Sequence, residues 1–196
     1  MTQYVNLLDR LGIIPEASSA LQRFELLFAR WNQRINLSAA RTPAEISEHV
    51  RDSLHVVPHL RDDARVIDVG AGGGFPVVIA AICLPQTQFV AIEPVHKKQA
   101  FLRTAARELG LSNLTSFAIR IEDHAIHDYD AATSRATFEL ETWLRTGLTL
   151  VRPGGRVLGF EGIRREDLQL DVERHPYELD GKQRAIVIAR RPVGAT

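Results

Sequence analysis

Val66-Ile67-Asp68-Val69-Gly70-Ala71-Gly72-Gly73-Gly74-Phe75 carries a short apolar strand, Arg65–Val69, through a glycine-rich turn into an apolar helix, Phe75–Leu84, which Pro85 closes. A strand, a turn without side chains and a helix form the first half of a βαβ unit, and glycines there let a ligand approach the backbone. Toward the C-terminus the alternation repeats. Gln88–Glu93 reads as a second strand, His96–Leu109 as a helix stopped by Gly110, Thr115–Ile119 as a third strand and Asp130–Ser134 as a fourth. Phe138–Val151 reads as a helix, Arg152-Pro153-Gly154-Gly155 as a turn and Arg156–Phe160 as a fifth strand. Ala185–Ala189, paired with or inserted beside Glu173–Leu179, reads as an antiparallel edge.

Toward the N-terminus the periodicity is helical. Leu21, Phe24, Phe28, Trp31 and Ile35 recur every three or four residues, one face of a helix. Thr42-Pro43-Ala44-Glu45 forms a capping box with proline in the first turn, and Ile46, Val50, Leu54 and Val57 continue as the buried stripe. These patterns predict a single α/β domain over 1–196: a helical cap, 1–60, and a core, 61–196, with a mostly parallel sheet, an antiparallel edge and the ligand at the carboxyl ends of its strands.

Bulk composition adds exclusions. No basic-then-apolar leader and no run of 18 apolar residues is present, so a cytoplasmic chain without membrane contact is expected. A single cysteine, Cys83, excludes a disulfide framework and a multi-cysteine metal site, and no metal is expected. The 24 basic and 24 acidic residues balance, so a nucleic-acid partner would need a local patch; DNA is not expected.

The turn itself discriminates between ligands. A dinucleotide fingerprint counted from Gly70 needs glycine where Phe75 stands; counted from Gly72 it needs glycine at Val77, and no Gly-Lys-Ser/Thr triplet marks a P-loop. What remains is an acid two residues before Gly-x-Gly-x-Gly. Asp68 would repel a pyrophosphate and suits a cationic aminoacyl end, while Glu93, 25 residues later, is placed to accept ribose hydroxyls bidentately. Asp68, Gly70, Gly72, Gly74 and Glu93 therefore point to S-adenosyl-L-methionine and to a Rossmann-like methyltransferase fold. Methylation at pyrimidine C5 requires a cysteine nucleophile, and Cys83 lies within an apolar helix. The loop after the fourth strand, Thr133-Ser134-Arg135-Ala136, lacks the Asn/Asp-Pro-Pro-aromatic pattern of exocyclic-amine methylation.

Four further segments occur in order: Arg30-Trp31-Asn32 with Ile35-Asn36-Leu37-Ser38; His49…Asp52-Ser53-Leu54; Asp68–Pro76; and Ser134-Arg135-Ala136. Together they resemble the small-subunit ribosomal RNA guanine-N7 methyltransferases, the RsmG or GidB family, over nearly the whole chain. The resemblance implies cofactor contacts at Gly70, Phe75, Ile121, Glu122 and Arg135, and 16S ribosomal RNA or the small ribosomal subunit as partner of a monomeric enzyme. Guanine N7 carries an in-plane lone pair and no proton, so positioning alone is expected, with Arg135 and His49 as candidates. His49 either orients the helical cap or faces the acceptor. Arg30, Arg34, Arg41, Lys97 and Lys98 are the expected RNA footprint; Lys97 and Lys98 oppose a helix dipole in its first turn. Glu48 and Glu161 stand where the family usually carries basic residues. Each is expected to bring negative charge toward the RNA, which keeps another RNA or a small molecule open as acceptor, alongside a non-catalytic binding role.

Overall fold

The computed structural model describes residues 4–194. Seven strands form one sheet, β1 (Arg65–Val69), β2 (Gln88–Ile92), β3 (Leu114–Phe117), β4 (Tyr129–Ser134), β5 (Val151–Glu161), β6 (Glu173–Leu179) and β7 (Lys182–Arg190), in the order β3-β2-β1-β4-β5-β7-β6. The first five pair in parallel, and β7 joins β5 and β6 antiparallel. Winding reverses between β1 and β4, and an α/β sheet opens its ligand crevice at such a switch point.

Because side chains alternate across a strand, Val66 faces one core and Ile67 and Val69 the other. The larger core lies under α1 (Val5–Arg10), α2 (Ala17–Ile35), α3 (Pro43–Leu54), α4 (Val77–Cys83) and α5 (His96–Leu109); the smaller lies under α6 (Leu140–Leu148). Leu21, Phe24 and Phe28 of α2 are buried, and Phe24 and Phe28 stand 5.3 and 5.0 Å from the Phe75 ring. The N-terminal helices thus share the core of the sheet. Thr42 caps α3 with the full capping box, and Gly110 ends α5 at φ +70°.

The expected boundaries around α6 and β5 move most in kind. The helix expected over Phe138–Val151 shortens to α6, because the Glu139 carboxylate accepts from the Thr142 amide and starts it late. Arg152–Gly155, read as a turn, lies inside β5: Tyr129 pairs with Val151 and Ala131 with Arg156, so these residues bulge from a continuing strand. Beyond Arg156, Gly154 and Arg191 extend the contact, the Gly154 amide donating to the Arg191 carbonyl at 2.9 Å.

Among the described residues, no helix is long and apolar enough to cross a membrane.

Candidate functional site

The glycine turn leaves β1 at the switch point. The Gly70 and Ala71 amides donate to the Ile92 carbonyl at 2.8 and 3.1 Å, which folds the turn toward β2. Glu93, buried at the end of β2, then accepts from the Gly72 amide (2.8 Å) through one carboxylate oxygen and from the Val95 amide (2.9 Å) through the other. Each oxygen keeps a further lone pair. Gly72 has φ +51°, and a Cβ there would meet only the Gly70 carbonyl oxygen at 3.7 Å and Glu93 Oε2 at 4.0 Å, so conformation rather than crowding calls for glycine.

Asp68 is the buried acid of β1. Its Oδ1 accepts from Thr133 Oγ1 at 2.7 Å, and its buried Oδ2 has no partner among the described residues. Burial pushes its carboxyl up to about 7, against the Thr133 hydrogen bond and the Arg135 charge, with Glu93 adding to the rise. An unpaired, poorly solvated carboxylate oxygen is costly, and an ammonium group would satisfy it. Together with the uncrowded backbone at Gly72 and the spare lone pairs of Glu93, this donor set fits the aminoacyl and ribose ends of S-adenosylmethionine.

The glycines serve different ends. A Cβ on Gly73 would lie 2.5 Å from the Phe28 ring, and one on Gly74 2.5 Å from Val78, so these two exclude side chains for packing. The space over Gly70, at φ +70°, is held by Thr137, whose hydroxyl donates to the Gly70 carbonyl at 3.2 Å. Phe75 buries its ring among Phe24, Phe28 and His49, leaving its backbone at the turn. Ile121 and Glu122 begin a short 3-10 helix, Ile121–Asp123, after β3; Ile121 packs on the smaller core and Glu122 is exposed.

Arg135 leaves the end of β4, where Ser134 Oγ donates to the Val69 carbonyl (2.8 Å) and Ala136 adopts φ +56°. The guanidinium lies 5.2 Å above the Phe75 ring and donates through Nη1 to Asp52 Oδ2 (3.1 Å) and His49 Nδ1 (3.3 Å). Asp52, buried on α3, also accepts from Tyr177 Oη (2.7 Å) and Arg184 Nη1 (2.9 Å) through Oδ1. Burial, then the Arg135 charge, pushes the His49 imidazolium down and favours the neutral ring.

Sequence reasoning placed Asp52 in a motif without a role and missed Tyr177 and Arg184. The motif was the available signal for Asp52; the other two come from the antiparallel strands β6 and β7, whose composition marks nothing.

The expected RNA-footprint residues are not brought together. Lys97 and Lys98 open α5, whereas Arg30 pairs with Glu108 (3.4 Å), eleven residues on and about 16 Å along that helix. Arg34 and Arg41 line an open groove of about 1250 Å³ between α2 and α3, and Arg41 is tied to the Ser38 carbonyl and Asn36 Oδ1. Glu48 and Glu161 do not carry the open negative charge expected of them. Glu48 pairs with Arg184 at 2.7 Å; Glu161, buried, takes Arg174 at 3.1 Å and the Arg165 amide at 2.9 Å.

Comparison with known proteins agrees with this geometry. The family model described as rRNA small subunit methyltransferase G (GidB) matches residues 17–192. The Ribosomal RNA small subunit methyltransferase G of Wolinella succinogenes is 39% identical over 74% of this chain and 75% of its own; that of Aromatoleum aromaticum is 35% identical over 92% and 93%. Among solved structures, the O-methyltransferase TomG of Streptomyces achromogenes aligns with TM-score 0.60 at 16% identity, over 88% of this chain and 89% of its own. The S-adenosylmethionine-dependent methyltransferase SibL aligns with TM-score 0.64 at 19% identity over 76% of this chain, which spans 57% of SibL's length. At those identities the solved structures establish the fold, a Rossmann-like methyltransferase sheet. With the family match running from α2 to the end of β7, the chain belongs to the rRNA small subunit methyltransferase G (GidB) family.

Proposed function

We propose that this chain is an S-adenosylmethionine-dependent methyltransferase acting on N7 of a guanine in 16S ribosomal RNA of the small subunit, working in the cytoplasm as a monomer. The family match across residues 17–192 carries this reading. Among the described residues, those from 61 onward form the cofactor-binding part and those before it the helical extension that shares its larger core. When bound, the cofactor supplies an electrophilic methyl group on a sulfonium.

Asp68 receives the aminoacyl ammonium and Glu93 the ribose hydroxyls, with Gly70, Gly72, Gly74 and Phe75 offering backbone and Ile121 and Glu122 flanking the adenine. Guanine N7 presents a lone pair and no proton, so no group here need remove one; the protein aligns the acceptor and excludes water. Arg135, held by Asp52, fixes the wall beside the acceptor. The exposed Lys97 and the half-buried Lys98 provide a cationic contact for RNA phosphates, with the exposed Arg30 and Arg34 as further members of the footprint. The internal pairing of Glu48 and Glu161 removes the reason to prefer a cationic acceptor.

The test supplies methyl-labelled S-adenosylmethionine with 30S subunits, naked 16S rRNA, or no RNA. Label released from the RNA as 7-methylguanine is the expected result. Label on another base, or none in either RNA, overturns the proposal.

A further inference from the structure

The wall formed by α3 and the end of β4 holds a ring nitrogen that makes no hydrogen bond among the described residues. His49 is half-buried, its ring 5.4 Å from that of Phe75, and its Nδ1 lies 3.3 Å from Arg135 Nη1. An arginine donates only, so Nδ1 must be the accepting nitrogen, and the neutral ring carries its proton on Nε2. Among the described residues Nε2 makes no hydrogen bond, and unlike the buried Arg135 Nε it is not shut off from the surface. The tautomer is thus fixed by a neighbour that Asp52 anchors in turn at 3.1 Å. The result is an N–H donor of fixed tautomer on α3, its ring set against Phe75 at the end of the turn that takes the cofactor.

A guanine presenting N7 for alkylation turns its Hoogsteen edge inward. That edge carries two adjacent acceptors, N7 and O6, whereas adenine shows a donor, its N6 amino group, where guanine has O6. With N7 committed to the incoming methyl, O6 needs a donor at the same depth. We infer that His49 Nε2–H donates to O6 of the acceptor guanine and selects it against adenine. The inference rests on the guanine-N7 reading above. Charge agrees with it: N-alkylation leaves the purine cationic, and the wall opposite is a neutral imidazole with an arginine already offset by Asp52.

A double-substitution cycle tests this. The methylated guanine is first mapped in the wild-type product. 30S subunits are then reconstituted with 16S rRNA carrying guanine or 2-aminopurine there, the latter keeping N7 and lacking O6. Wild-type protein should lose about tenfold or more in kcat/KM when O6 is removed, as expected where a site built to hydrogen-bond a group finds it absent. His49→Phe should lose about tenfold on guanine and less than about twofold further on 2-aminopurine, while His49→Gln, which keeps an amide donor, recovers most of the rate on guanine. The cycle cancels the altered nucleophilicity of the analogue, and a merely structural histidine would show no such coupling. S-adenosylhomocysteine affinity reports that the variant is folded; should His49→Phe fail to bind it, His49→Leu takes its place. An equal loss on O6 removal in wild type and the substituted protein overturns the inference. A wild-type protein that makes no 7-methylguanine overturns the parent reading instead.

Discussion

Asp68 shows how one buried atom joins stability to ligand binding. Its folded carboxyl titrates near 7, above the value of about 4 it has in an unfolded chain. The stability of the neutral form is therefore complete below pH 4 and is lost as pH rises through 7. Asp68→Asn should flatten the pH dependence of the ligand-free melting temperature between pH 4 and 8. The same substitution should weaken S-adenosylhomocysteine binding about tenfold or more, measured by calorimetry at pH 8, by removing the partner of the aminoacyl ammonium. Affinity that survives the substitution would remove Asp68 from the site. At this scale the sequence was only partly legible. Asp68 and Glu93 announced themselves by spacing, but Gly73 and Gly74 read like their neighbours while being glycine because Phe28 and Val78 occupy the space. A contact with a helix some 45 residues earlier leaves no local mark.

Between elements, Asp52 is the joint through which α3 holds both the end of β4 and the antiparallel edge. Its buried carboxylate takes Arg135, Tyr177 and Arg184, and Glu48 one turn earlier takes the second nitrogen of Arg184. Asp52→Ala leaves Arg135 without a carboxylate, the Tyr177 hydroxyl without its acceptor and Arg184 to Glu48 alone, so urea unfolding should show a loss of about 3 kcal/mol. Activity should fall further than stability accounts for, because Arg135 loses its anchor. A loss below about 1 kcal/mol would show that the joint is not carried by this residue. Helices and parallel strands were legible to within a residue or two wherever periodicity was strong, as in α5 and β1. The start of β5 was not: proline and glycine at 153–155 carry the composition of a turn, and only pairing with β4 reveals that the strand resumes its ladder after the bulge.

For the whole molecule, balanced charge hides an uneven distribution. Lys97 and Lys98 are unpaired by carboxylates among the described residues, whereas Glu48 and Glu161 are absorbed into ion pairs. Replacing both lysines by glutamine should reduce the slope of log K against log salt for rRNA binding by about 1–2; an unchanged slope would place the RNA elsewhere. Acid sensitivity belongs to the seam between cap and sheet edge, where His59 lies 4.4 Å from His175. Burial, then the His175 charge, lowers His59 to about 4. The stability it contributes is present above pH 6.5 and is lost as pH falls through 4, so His59→Gln should raise the urea midpoint at pH 5 relative to wild type and flatten its pH profile. The joint at Asp52 also has a consequence in time. Synthesis runs from the N-terminus, and Tyr177 and Arg184 follow Asp52 by 125 and 132 residues. The glycine turn and Asp52 are therefore both made long before either partner from the antiparallel strands exists, and a message cut short before Tyr177 would lack those partners together with the β7 residues that complete both cores.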